Sequence, residues 1–135
     1  MTKEGLIQEL IAGGHLRTPR IIEAFRKIDR KGFVIPEYLD QAYRNHPLPI
    51  GFGQTISQPL TVAFMLEQLA PQSGERVLEI GAGSGWQAAL LAHIVTSDMG
   101  KGNANKKNYG HVICIERIPE LKDMAEQQAQ FAFII

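Results

Sequence analysis

Gly81, Gly83 and Gly85 stand at alternate positions directly after the apolar run Val77-Leu78-Glu79-Ile80. Glycine has no Cβ, so the backbone there can bend tightly and admit a flat ligand at close range. The spacing departs from the dinucleotide fingerprint G-x-G-x-x-G, because position 86 holds Trp86. Glu79 lies at the end of the run before the glycines, and Glu116 closes a second run, His111–Ile115. An acid ending the second strand of a βαβ unit can accept both hydroxyls of a ribose, at a usual interval of about 20 residues. The interval here is longer, and residues 97–110 supply the excess. Each feature also has a purely structural reading. The glycines suit a strand-to-helix turn, Glu116 a solvated strand end, and Trp86 the core. Ser57, just ahead of Pro59 and an apolar helix, occupies the place of a helix N-cap.

The surrounding periodicities say what must hold these residues. Leu6, Ile7, Leu10 and Ile11 predict a helix over 3–12, stopped by Gly13-Gly14. Thr18-Pro19 reads as N-cap and first turn of a second helix, with Ile21, Ile22, Phe25 and Ile28 inward. Residues 30–57 hold no sustained period and carry Pro36, Pro47, Pro49, Gly51 and Gly53, so an ordered loop or a set of short pieces is expected, and a loop of this length usually carries function. A third helix is expected from Gln58 to Leu69, with Val62, Met65, Leu66 and Leu69 on one face. Then follow a strand at 76–80, a helix at 85–95, a polar surface loop at 97–110, a strand at 111–116 and a helix from Pro119 towards 130. The strand–helix–strand at 76–116 is one βαβ unit, whose ligands lie beyond the carboxyl ends of its strands.

Composition narrows the class. The 135 residues include 44% apolar side chains, enough for a packed core. Fourteen basic and fourteen acidic residues give no net attraction to nucleic acid or an acidic membrane. Cys114 is the single cysteine and sits in an apolar run, as a buried inert thiol does. His15, His46, His93 and His111 lack metal-ligand spacing. The amino-terminal residues lack a signal-peptide core, and no apolar run nears the roughly 18 residues a membrane helix needs, so a cytoplasmic protein is expected.

The form acid-x-G-x-G-x-G resembles the first motif of S-adenosylmethionine-dependent methyltransferases. Residues 47–61, Pro-Leu-Pro-Ile-Gly-Phe-Gly-Gln-Thr-Ile-Ser-Gln-Pro-Leu-Thr, resemble the signature of protein-L-isoaspartate O-methyltransferases, at the matching distance before the glycines. Further similarity lies in Arg30–Pro36, Ala42-Tyr43 and Val112–Leu121, so the resemblance runs from about residue 4 to 125. It implies an α/β, Rossmann-like fold and methyl transfer from S-adenosyl-L-methionine to the carboxylate of isoaspartyl residues in damaged proteins. It marks Ser57 as the catalytic-site residue, with Gln54, Thr55 and Ile56 lining the substrate and cofactor cleft. Glu79, Gly81, Ala82, Gly83, Gly85 and Glu116 become the cofactor-binding set. Glycine N–H groups would face the ligand, Glu79 its amino group and Glu116 its ribose. A carboxylate is already a nucleophile at neutral pH and a sulfonium a good leaving group, so alignment supplies much of the acceleration and no strong base is needed.

A complete enzyme of this kind has a seven-stranded sheet, whereas this sequence matches it only through the second strand and the following helix. The expected architecture is therefore a truncated methyltransferase fold: residues 1–58 as a helical and substrate-loop segment, 59–135 as the first part of the α/β domain. The alternatives are a catalytically incompetent form with weak cofactor binding, or a methyltransferase for another substrate. An uncovered sheet edge would favour self-association.

Overall fold

Apolar residues three and four apart make α1 (Lys3–Ala12) and bury Leu6, Ile7 and Leu10. Thr2 caps it, its hydroxyl accepting from the Gly5 amide at 3.0 Å. The computed structural model describes residues 1–97, 110–129 and 132–135. The loop expected at 97–110 therefore lies, apart from its ends, outside the described residues, as does Phe131. The chain forms two compact units, Met1–Ala70 and Pro71–Ile135.

In the first unit, α2 (Pro19–Lys27) buries Ile21, Ala24 and Phe25. Thr18 stands at its N-cap but makes no side-chain cap bond. Glu67 of α3 (Pro59–Leu69) accepts from the amides of Arg17 and Thr18, both at 2.7 Å, and from the Thr18 hydroxyl at 2.6 Å. A carboxylate from another helix thus satisfies the start of α2. The apolar stripe foreseen on α3 is half realised: Val62 and Leu66 are buried, Met65 and Leu69 exposed. Of the two forms expected for residues 30–57, the chain adopts the set of short pieces. It holds two short 3-10 helices, Arg30–Phe33 and Pro36–Gln41, and an antiparallel hairpin of β1 (Leu48–Gly51) and β2 (Gln54–Ile56). Pro49 and a register shift between Pro49 and Gly51 hide the strand signal.

The second unit is the βαβ unit carried one strand further. β3 (Arg76–Ile80), α4 (Trp86–Val95), β4 (His111–Ile115), α5 (Pro119–Gln128) and β5 (Ala132–Ile134) follow in order. The strands lie parallel in the order β3-β4-β5, so the sheet goes beyond the expected end at the second strand and its helix. Both crossovers step the same way across the sheet, and the right-handed rule puts both helices on one face. Val112, Cys114 and Ile134 are buried on that face. Leu78, Ile80, Ile113, Ile115 and Phe133 are exposed on the other, Ile80 at 72%.

Candidate functional site

The glycine turn follows β3 in the second unit. Gly81, Gly83 and Gly85 all have positive φ, at 87°, 56° and 96°. Their amides are spent inside the protein. That of Gly81 donates to the Ile115 carbonyl at 2.7 Å, that of Gly83 to Glu116 Oε1 at 2.9 Å, and that of Gly85 to the Ala82 carbonyl at 2.9 Å. This corrects the expectation that these N–H groups face a ligand, because the bend is closed by its own donors. What Gly81 offers is space, since a Cβ built there meets nothing within 4 Å. Gly85 serves packing: its Cβ would lie 3.1 Å from Ala125 Cα and 3.2 Å from Ala129 Cβ. Ala82 and Ser84 are buried within the turn, and the Ser84 hydroxyl has no hydrogen-bond partner among the described residues. Trp86 is also buried. α4 starts at Trp86 without a side-chain cap, leaving the positive end of its dipole at the turn.

Two carboxylates flank the turn. Glu79 pairs in register with Cys114, points to the helix-covered face and is 6% exposed. Among the described residues neither of its oxygens meets hydrogen-bond geometry, although the Cys114 thiol and the Gln87 amide lie near enough to act on it. Burial raises its pKa to about 7, helped by the charge of Glu116, although the nearby Cys114 thiol and Gln87 amide pull the other way. Burial together with Glu79 drives the Cys114 thiol to about 12, so it is inert. Glu116 is half-buried and doubly engaged, accepting from Gly83 through Oε1 and from the Ile118 amide through Oε2 at 3.1 Å. One side chain ties the turn to the start of α5 and keeps spare lone pairs. A desolvated acid without a satisfied partner beside a Cβ-free bend suits a flat ligand bearing a cationic group.

The first unit carries the second cluster. Gln54, Thr55 and Ser57 are exposed in and after β2, while Ile56 is buried. Ser57 is not the cap of α3. That helix has Gln58 at its N-cap, and Asn45 Oδ1 accepts from the Leu60 amide at 3.0 Å in the capping role. The Ser57 hydroxyl is thereby left exposed, while its carbonyl is held. Arg30, 2% exposed, donates through Nη2 to the carbonyls of Ser57 and His46 at 3.0 and 2.8 Å. Through Nη1 it reaches those of Ala42 and Arg44 at 2.8 and 3.3 Å. Desolvation lowers the Arg30 pKa to about 10. The Tyr43 hydroxyl bonds both oxygens of Asp29, at 2.9 and 3.0 Å, and Gln58 Nε2 donates to the Asn45 carbonyl at 3.0 Å. The arginine and asparagine escape a reading of the sequence, because backbone carbonyls as partners leave no residue pattern. Among the described residues no group of His, Cys, Asp and Glu could hold a metal ion.

Comparison with known proteins identifies the family. A relative from Aeropyrum pernix, named protein-L-isoaspartate O-methyltransferase, is 44% identical over 93% of this chain and 44% of its own. One of the same name from Methanopyrus kandleri is 46% identical over 91% of this chain and 50% of its own. The chain spans about half the length of the curated relatives it matches. Among solved structures, a protein-L-isoaspartate O-methyltransferase shares 26% identity with a TM-score of 0.78, over 99% of this chain and 41% of that one. A Plasmodium falciparum protein of the same description, in complex with S-adenosyl-L-homocysteine, has a TM-score of 0.82 at 23% identity. It covers 100% of this chain, which covers 62% of it, and shows the shared fold. The model of one family matches residues 1–131, across both clusters, and this chain belongs to that family, protein-L-isoaspartate(D-aspartate) O-methyltransferase.

Proposed function

We propose that this chain carries the ligand-holding elements of an enzyme that methylates isoaspartyl carboxylates in damaged proteins, with S-adenosyl-L-methionine as donor. The observation that carries the reading is Glu79, a carboxylate buried beside an open, Cβ-free bend with no well-formed hydrogen bond to either oxygen among the described residues. The donor's amino group is a partner of the right charge for it, and the spare lone pairs of Glu116 suit ribose hydroxyls. Bound there, the donor supplies an electrophilic methyl on a sulfonium. Gly81 gives the room, while Gly83 and Gly85 fix the bend. Gln54, Thr55 and Ile56 form the segment that meets the substrate. Ser57, its hydroxyl freed from capping, donates a hydrogen bond that orients the incoming carboxylate without attacking anything.

A second reading, ligand binding without turnover, is favoured by the bare apolar face of the sheet, since parallel sheets are normally covered on both sides. Self-association through that sheet belongs to the same proposal, as does a cytoplasmic setting, supported by the balanced charge and buried thiol. Titration calorimetry with S-adenosyl-L-homocysteine, followed by radiolabelled methyl transfer to an isoaspartyl peptide, separates the two readings. Transfer that is lost in Ser57→Ala is the expected result. Binding without transfer selects the second reading, and absence of binding overturns both.

A further inference from the structure

β1 and β2 are joined by a two-residue turn, Phe52-Gly53, with φ of 57° and 69°. Positive φ at both positions is the sign pattern of a type I′ turn, whose first position favours Asn, Asp or Gly. Phenylalanine is a poor occupant, because its Cβ crowds the following carbonyl in the left-handed region. Strain of this kind persists where something else offsets it. Packing does not, for Phe52 is 56% exposed. It is the sole large apolar side chain in the exposed run from Gly51 to Thr55. That run leads straight into Ser57, and the turn is firmly held, since Ile50 and Ile56 on either side are buried.

We propose that Phe52 is a substrate-contact residue: the strained turn holds its ring in solvent to receive an apolar side chain flanking the isoaspartyl residue of a peptide. The proposal rests on the methyltransferase reading above and adds a specificity determinant to it. An aromatic presented at low entropic cost on a rigid turn is an effective peptide anchor. Its sequence signature is the conflict between residue and turn, a local rule broken without a folding gain.

The test uses the full 135-residue chain and two synthetic peptides, one with the isoaspartyl residue flanked by valine and tyrosine, the other by glycines. Phe52→Asn should raise the melting temperature, because asparagine suits the turn. It should weaken binding of the first peptide about tenfold and leave S-adenosyl-L-homocysteine affinity unchanged. Phe52→Tyr should bind like the parent chain, and the glycine-flanked peptide should not distinguish the variants. Equal affinity of Phe52→Asn and the parent for the first peptide overturns the proposal, as does a fall in melting temperature, which would make the ring a packing element. A parent chain that binds neither peptide defeats the isoaspartyl reading itself, and this proposal with it.

Discussion

At the residue scale, Glu79 is the group whose state is most sensitive to conditions. Its folded pKa, about 7, exceeds the ordinary 4.5. The folded chain therefore holds a proton that the unfolded chain releases. Stability is full below about pH 4.5 and is lost as pH rises through 7, by at most roughly 3 kcal/mol. Chemical denaturation across this range should show the decline, and Glu79→Gln should flatten it and stabilise the chain at pH 8. Cys114, Glu116 and Gln87 also bear on this carboxylate, so the same series in Glu116→Gln should begin from a lower Glu79 pKa. A ligand whose cation meets Glu79 reverses the trend, so its affinity should grow with pH. The sequence showed the acid and its place at the strand end. It did not show that the side chain turns to the helix-covered face, which depends on the register with β4.

At the level of elements, Arg30 governs the span from Ala42 to Ser57. Its fork serves four carbonyls from one buried position, a geometry an ammonium cannot reproduce. Arg30→Met leaves these acceptors without their donor and should cost at least about 3 kcal/mol. Arg30→Lys should recover only part. Hydrogen exchange should report the loss first at residues 42–57, ahead of α1. Helices were legible where apolar spacing was clean, as in α1, α2 and α4. The hairpin was not, because four- and three-residue strands containing Pro49 carry too little alternation to register. The Thr18 cap position was legible, but the groups that serve these two helix starts were not: the acceptors Glu67 and Asn45 lie 49 and 15 residues from the amides they serve, and Ser57, placed for a cap, is not one.

For the whole molecule, the consequential feature is the sheet with one face bare. Leu78, Ile113 and Phe133 align across its strands by register, beside Ile80 and Ile115. A contiguous exposed apolar face of this kind marks an interaction surface. Sedimentation velocity should find concentration-dependent association, and Ile113→Lys with Phe133→Lys should leave a monomer with unchanged circular dichroism. The α/β class and the strand order at 76–116 followed from sequence. The added strand did not, because three residues after a helix offer no period of their own.

The contact of Gly85 with Ala125 and Ala129 reaches beyond the turn itself. A methyl added at Gly85 would press on α5, and that helix would have to yield by a few tenths of an ångström. Any such yielding would be felt at the start of that helix, which Glu116 holds through the Ile118 amide. The absence of a side chain at Gly85 thus sets how closely α5 can lie against the glycine turn.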